Sequence, residues 1–131
     1  MSGPRVSICV PVLNGARHLK EALDSAISQD YANLEVIAVD NCSDDDTARI
    51  LADYAARFPR QLRIYRNGER VSMVENFNIA LGHAQGEFIK ILPHDDVLTP
   101  GSISALMAAR ERGDHLIVGL RTFIFEAAPL A

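Results

Sequence analysis

The order of apolar segments along the chain is the feature that most constrains its fold. Near-continuous apolar runs rich in β-branched residues, at 6–13, 34–39 and 88–92, alternate with segments whose apolar residues recur at helical spacing. Runs of the first kind are typical of strands buried on both faces of a parallel sheet, and segments of the second kind are typical of helices that pack on such a sheet. The alternation predicts an α/β fold, a doubly wound, mostly parallel sheet with helices on both faces.

Five strands and four helices are expected from this pattern. The strands are predicted at 6–13, 34–39, 62–65, 88–92 and 116–125, and the helices at 19–27, 47–58, 74–84 and from Pro100 onward. Pro100 marks the first position of the fourth helix, with Thr99 as its cap. Ala52 of the second helix and Val74 of the third are expected to face inward.

Composition and charge limit the class of protein. With 131 residues, 48% hydrophobic and 23% charged, the chain is expected to form one globular domain over residues 1–131. The net charge of −4 and the lack of a long Lys or Arg run argue against a nucleic-acid partner. No apolar stretch approaches the ~20 residues that span a bilayer.

The expected compartment is the cytoplasm. The N-terminal segment is typical of a first strand and unlike a signal peptide. Cys9 and Cys42 lack CxxC spacing, so they predict neither a zinc site nor a disulfide framework.

Three predicted strands end in polar residues. Ligands of parallel α/β sheets bind at the carboxyl ends of the strands, and here these ends are residues 11–14, 40–47 and 94–96. Asp40 ends a buried strand, where a carboxylate can either accept hydrogen bonds from a ligand or form a turn. Asp44 and Asp46 fit the first turn of a helix, where acids favour the positive end of its dipole.

Asp95 and Asp96 form an adjacent pair of acids that follows the strand at 88–92 after Pro93 and His94. Such a pair suits Mg²⁺ or Mn²⁺, which take oxygen ligands from one or two carboxylates and complete their shells with phosphate and water. An ordinary polar surface loop is the alternative. The chain has no GxxxxGK[ST] loop, no GxGxxG after the first strand and no GxSxG elbow.

Two long segments combine the polar strand ends with the helices between them: residues 6–47, "VSICVPVLNG…DNCSDDDT", and residues 67–96, "NGERVSMVENFN…FIKILPHDD". Together they resemble the family 2 glycosyltransferases, which have the GT-A fold, and the resemblance extends to about Met107. It implies a nucleotide-diphospho-sugar transferase-like fold and transfer of a sugar from a nucleoside-diphosphate sugar, foremost a UDP-sugar, to an acceptor hydroxyl. It also implies metal dependence and inversion at the sugar.

The resemblance assigns roles by position. Residues implied to contact the nucleotide sugar are Pro11, Val12, Asn14, Asp40, Asn41, Arg70 and Asp95. Among these, Pro11, Val12 and Asp40 would lie at the base, Arg70 at the diphosphate and Asp95 at the ribose. Asp96 would hold the divalent metal, with Asp95 in support. The family often has aspartate at Asn41 and glycine at Cys42, and these departures leave the choice of nucleotide open.

The same resemblance predicts that the catalytic base lies outside this chain. Members of the family continue well beyond residue 131, and Glu111, Asp114 and Glu126 are typical of surface or loop residues. The chain is therefore expected to be a donor-binding domain that ends before the acceptor-binding half. The alternative function is a non-catalytic nucleotide-sugar-binding module that needs a missing half or a partner.

Overall fold

A computed structural model describes residues 3–111 and 113 of the chain. The elements are β1 (Val6–Val12), α1 (Leu19–Ile27), β2 (Leu34–Asp40), α2 (Thr47–Arg57), β3 (Leu62–Arg66), α3 (Met73–His83), β4 (Phe88–Ile91) and α4 (Ser102–Ala109). The strands form one parallel sheet in the order β3-β2-β1-β4. The predicted parallel α/β fold is confirmed, and the strand predicted at 116–125 lies outside the described residues.

The helices cover both faces of the sheet. One face carries Ile8 and Val10, and the helices that pack on it are α1, α2 and α4, the last through Ile103 and Met107. The other face carries Cys9, Ile37 and Val39 and packs against Ala80 of α3. Every residue of β1 is buried, as expected for the central strand of a doubly covered parallel sheet.

The fourth helix begins two residues later than predicted. Its first residue is Ser102, and Gly101 is the N-cap with a left-handed φ of 73°. The backbone N–H of Ser102 donates to the Thr99 carbonyl at 3.2 Å, so Pro100 and Gly101 form a turn that leads into the helix. Glycine reaches this φ without the steric cost that a Cβ would add.

Two predicted inward residues face solvent. Ala52 is exposed, because the buried stripe of α2 is made of Thr47, Ile50, Leu51 and Tyr54. Val74 is 65% exposed, because Asn76 and Ala80 set the inward direction of α3 and Val74 lies about 160° around the helix from Asn76. Both predictions were wrong for the same reason: hydrophobicity alone did not identify the face that packs.

No helix among the described residues is long and apolar enough to cross a membrane.

Candidate functional site

The three polar strand ends lie at one edge of the sheet. β1 runs parallel to both β2 and β4, with Val12 in register with Asp40 and Cys9 in register with Ile91. The loops that follow these strands therefore leave the sheet side by side. The loop after β4 touches the loop after β1, since a Cβ built on Gly15 would lie 2.6 Å from Nδ1 of His94.

The loops after β1 and β2 are fastened together by hydrogen bonds. The three successive backbone N–H groups of residues 14–16 donate to the side chains of Ser43, Thr47 and Asp45 at 2.8, 3.0 and 3.1 Å. Burial would raise the pKa of Asp45, but the hydrogen bonds from the Thr47 hydroxyl and N–H and from the backbone at residue 16 outweigh it and lower that pKa. These N–H groups are consequently unavailable to an anionic ligand, in contrast to those of a phosphate-binding loop.

Asn14 and Cys42 have an uncommon backbone conformation. Their φ values are 50° and 57°, and no other non-glycine residue in the described part has a positive φ. The Asn14 side chain supports this turn by accepting a hydrogen bond from the Asp44 N–H at 3.0 Å. Left-handed non-glycine residues occur often at functional sites, and both of these lie in the loops at this edge.

Asp40 is buried and forms an ion pair with Arg66. Its Oδ2 lies 2.9 Å from Nη1 of Arg66, and its Oδ1 accepts the Ser43 N–H at 3.0 Å. Arg66 also donates to the Ser43 carbonyl at 3.0 Å. The pair lines a cleft of about 230 Å³ together with Leu51 and other residues of α2 and β3.

Arg66 is a site residue that the sequence analysis missed. It is the last residue of β3 and is in register with Asp40, so its position follows from strand pairing. A charged residue at the end of a short predicted strand next to Asn67-Gly68 was the available signal. Its side chain is 47% exposed, and Asp40 and the Ser43 carbonyl use two of the five N–H donors of the guanidinium.

Arg70 lies on the loop between β3 and α3 and faces the turn after β2. Its Nε donates to the Cys42 carbonyl at 3.3 Å, and its Nη2 lies 3.0 Å from Oδ2 of Asp44. The side chain is 45% exposed. Arg70 is thus near the same edge as Asp40, and its contact with the diphosphate stays a prediction.

Asn41 is buried next to Asp40, and its amide is engaged inside the protein. Its Nδ2 donates to the Val71 carbonyl at 2.9 Å, and its Oδ1 accepts from the Val71 N–H at 2.9 Å and from Nδ2 of Asn67 at 3.1 Å. Pro11 and Val12 are also buried, within β1. Substrate contacts by these three residues stay predictions.

Asp95 and Asp96 lie in the loop after β4, separated by three residues from the end of the strand at Ile91. The Asp96 N–H donates to the Pro93 carbonyl at 3.0 Å, and both side chains are exposed. No group of three or more His, Cys, Asp or Glu within residues 3–111 is placed to hold a metal ion. Two exposed carboxylates fit a hard divalent cation that takes its remaining oxygen ligands from a diphosphate and water.

A parallel sheet with helices on both faces and polar loops at its carboxyl edge fits the GT-A class of nucleotide-diphospho-sugar transferase domains. The chain belongs to the family described as "Glycosyl transferase family 2", whose model matches residues 7–129.

Relatives of known sequence agree with this assignment. "Putative glycosyltransferase EpsE" of Bacillus subtilis is 32% identical over 126 residues, which are 95% of this chain and 45% of that protein. "Uncharacterized glycosyltransferase RP339" of Rickettsia prowazekii is 36% identical over 100 residues, which are 76% of this chain and 30% of that protein. The chain therefore spans less than half the length of these relatives.

Solved structures have the same fold. S. aureus TarS 1-349 in complex with UDP superposes with a TM-score of 0.73 at 29% identity, over 79% of this chain and 31% of that one. The mannosyltransferase PcManGT from Pyrobaculum calidifontis, in complex with GDP-Man and Mn²⁺, gives 0.72 at 34% identity, over 78% of this chain and 30% of that one.

Proposed function

We propose that this chain is the donor-binding domain of a glycosyltransferase that transfers a sugar from a nucleoside-diphosphate sugar to an acceptor hydroxyl. The observation that carries the proposal is that Asp40, Arg66, Arg70 and the Asp95–Asp96 turn all lie at the carboxyl edge of one parallel sheet. The ligands named for TarS and PcManGT, which include UDP, UDP-GlcNAc and GDP-Man, support the same class of donor.

The Asp40–Arg66 pair is suited to hold the base. Each carboxylate oxygen of Asp40 already accepts one hydrogen bond, and each has a second lone pair that can accept from a ring N–H. Arg66 can donate to a ring carbonyl beside it. Uracil offers such an N–H and carbonyl pair, and so does guanine, so the pair is compatible with UDP and with GDP. A UDP-sugar remains the first candidate.

The phosphate end of the donor is assigned to Arg70 and the Asp95–Asp96 turn. Because the N–H groups of residues 14–16 are occupied, we assign the charge on a diphosphate to side chains and a cation. Asp96, with Asp95 beside it, would hold Mg²⁺ or Mn²⁺ at the exposed turn. A divalent ion bound there supplies positive charge where the leaving diphosphate becomes more negative.

Other parts of the proposal depend on the longer relatives. The acceptor site and the catalytic base are assigned to sequence outside residues 1–131, and inversion follows the family. The cytoplasm is the proposed compartment, because Cys9 and Cys42 are free thiols, as is usual in reducing compartments.

Thermal unfolding with UDP, GDP, UDP-sugars and Mn²⁺ tests the donor site. A ligand at a hundredfold excess over its Kd stabilises the folded chain by about 2.7 kcal/mol, which gives an upward shift of several degrees. Asp96→Ala should abolish the Mn²⁺-dependent part of the shift. The matched control is Asp53→Ala, which removes an exposed aspartate from α2 and should leave the shift unchanged. Equal Mn²⁺-dependent shifts for Asp96→Ala and the wild type would contradict the assignment of the metal.

Turnover separates the enzyme from the alternative binding module. The transferase is expected to release UDP or GDP from the corresponding sugar donor. The release is measured on the longest form of the protein that can be produced. Binding without any release, in the presence of candidate acceptors, would favour a module.

A further inference from the structure

The side chain of Asn41 pairs with the backbone of Val71 at two points. Its Nδ2 donates to the Val71 carbonyl and its Oδ1 accepts from the Val71 N–H, both at 2.9 Å. The amide thereby mimics one rung of a β-ladder between the end of β2 and the loop that connects β3 to α3. Since Asn41 is 1% exposed, these hydrogen bonds are protected from competition with water.

Two further asparagines extend this contact. Nδ2 of Asn67 donates to Oδ1 of Asn41 at 3.1 Å and to Oδ1 of Asn76 at 2.9 Å. Nδ2 of Asn76 then donates to the Val39 carbonyl at 3.3 Å. The three asparagine side chains, together with the backbone groups of Val39 and Val71, join β2, the β3–α3 loop and α3, so the loop is held at both of its ends.

The loop held in this way carries Arg70, the residue next to Val71. Arg70 contacts the Cys42 carbonyl and Asp44, and its side chain is 45% exposed. The Asn41 amide oxygen already accepts two hydrogen bonds, which leaves little capacity to read a ligand.

We propose that Asn41 is a positioning residue that fixes Arg70 against the diphosphate of the donor. This inference rests on the proposed function and deepens it. Asn41 acts through the loop. Its loss should weaken the contact of Arg70 with the diphosphate, while the contacts of Asp40 and Arg66 with the base are kept.

Asn41→Asp is the sharpest variant, because it preserves the size of the side chain and its acceptor oxygen. The donor Nδ2 becomes an oxygen that faces the Val71 carbonyl, so the two-point pairing turns into repulsion. We expect UDP to bind about tenfold more weakly in saturating Mn²⁺, the scale of one charge-assisted hydrogen bond. Uridine, which has no phosphate, should lose less than about threefold in the same calorimetric assay. GDP and guanosine replace this pair of probes if the wild type prefers guanine.

A double-mutant cycle tests whether the effect passes through Arg70. In an Arg70→Ala background, Asn41→Asp should cause almost no further loss of UDP affinity, because the group that it positions is gone. Asn67→Ala, at a half-buried residue, removes the two hydrogen bonds that Asn67 donates to Asn41 and Asn76. It leaves the pairing of Asn41 with Val71 in place, so UDP should lose less affinity than with Asn41→Asp, and again more than uridine loses. Asn78→Ala is the matched control, since Asn78 is an exposed asparagine on α3.

The outcomes separate this inference from the proposed function. Equal losses for UDP and uridine, or additive losses with Arg70→Ala, would overturn the positioning role and leave the donor site standing. If both Asn41→Asp and Asn67→Ala bind UDP as tightly as the wild type does, the positioning role is likewise overturned and the donor site still stands. If the wild type binds neither UDP nor GDP with Mn²⁺, the donor site itself is wrong and the inference falls with it. Should Asn41→Asp fail to fold, Asn67→Ala decides alone.

Discussion

Glu35 is a buried carboxylate at the end of the sheet opposite the candidate site, and its removal tests how the fold is held together. It is 2% exposed. Its Oε1 lies 2.7 Å from Arg63 and 3.2 Å from Arg5, and its Oε2 accepts from the Gln85 N–H at 2.7 Å and from the Ser7 hydroxyl. One side chain thus connects β1, β2, β3 and the segment between α3 and β4.

Glu35→Gln keeps the shape of the side chain and removes its charge. Whichever way the new amide turns, its NH₂ faces donors, either the two guanidinium groups or the Ser7 hydroxyl and the Gln85 N–H. Breaking a buried ion pair costs about 3–5 kcal/mol. Arg5 and Arg63 are 42% and 35% exposed and can regain water, so we expect a loss of about 2–3 kcal/mol in the free energy of unfolding.

The pH dependence of this loss has a defined sign. Burial would raise the pKa of Glu35, but the hydrogen bonds from Ser7, the Gln85 N–H and Arg63, together with nearby Arg5, lower it from its ordinary value of 4.5. A depressed pKa in the folded state stabilises the protein above the ordinary value, and this stabilisation is lost as the pH falls through the folded pKa. The difference between wild type and Glu35→Gln should therefore shrink below about pH 4.5.

Urea unfolding followed by circular dichroism measures the difference between the two proteins. Glu87→Gln is the matched control, because Glu87 is exposed and its change should stay within about 0.5 kcal/mol. A difference below that limit at neutral pH, or one that is unchanged from about pH 7 to pH 3, would refute the reasoning.

Three other predictions concern packing and thiol chemistry. Gly15→Ala should destabilise the protein by about 1–3 kcal/mol in urea unfolding, because the new methyl group would overlap the ring of His94. Gly82→Ala, at a position in α3 with nothing within 4 Å of the added Cβ, should instead stabilise it by about 0.5–1 kcal/mol. Burial raises the pKa of Cys9 to about 11, so Ellman's reagent at pH 8 should label Cys42 in the native protein and Cys9 only after denaturation; rapid native labelling of both would contradict this.

The fold was predictable because each element has a strong local signal. The runs at 6–13 and 34–39 have the composition of doubly buried strands, and the observed strands end within a residue of them. The sheet order and the side on which each helix packs were not encoded locally. The error at Val74 illustrates this, because the inward side of α3 is set by a polar residue, Asn76, whose amide reaches the Val39 carbonyl.

The candidate site was predictable only in part. Asp40, Asp95 and Asp96 stand out because acids directly after apolar runs have few structural reasons to be there. Arg66 became apparent only from strand register. The buried position of Glu35 could not be predicted from the sequence either, since an acid within an apolar run is expected to face water. Its partners come from residues 5, 7, 63 and 85, which only the folded chain brings together.

The charges at the carboxyl edge explain why a cation belongs to the proposed site. Asp40 is paired with Arg66 and Asp44 with Arg70. Asp95 and Asp96, by contrast, are exposed and have no ion pair with any other described residue. A diphosphate placed near them without a cation would meet two uncompensated negative charges, and like charges at such distances repel each other even near a surface.

This arrangement predicts opposite effects of one substitution under two conditions. Asp96→Asn removes the proposed metal ligand, so UDP should bind about tenfold or more weakly in Mn²⁺. In EDTA the same change removes a repulsive charge, so UDP should bind as well as it does to the wild type or slightly better, by up to about threefold at low ionic strength. Titration calorimetry measures the UDP affinity of both proteins in Mn²⁺ and in EDTA. Weaker binding by the same factor with and without metal would mean that Asp96 contacts the nucleotide directly or supports the turn, and the electrostatic account of this edge would be wrong.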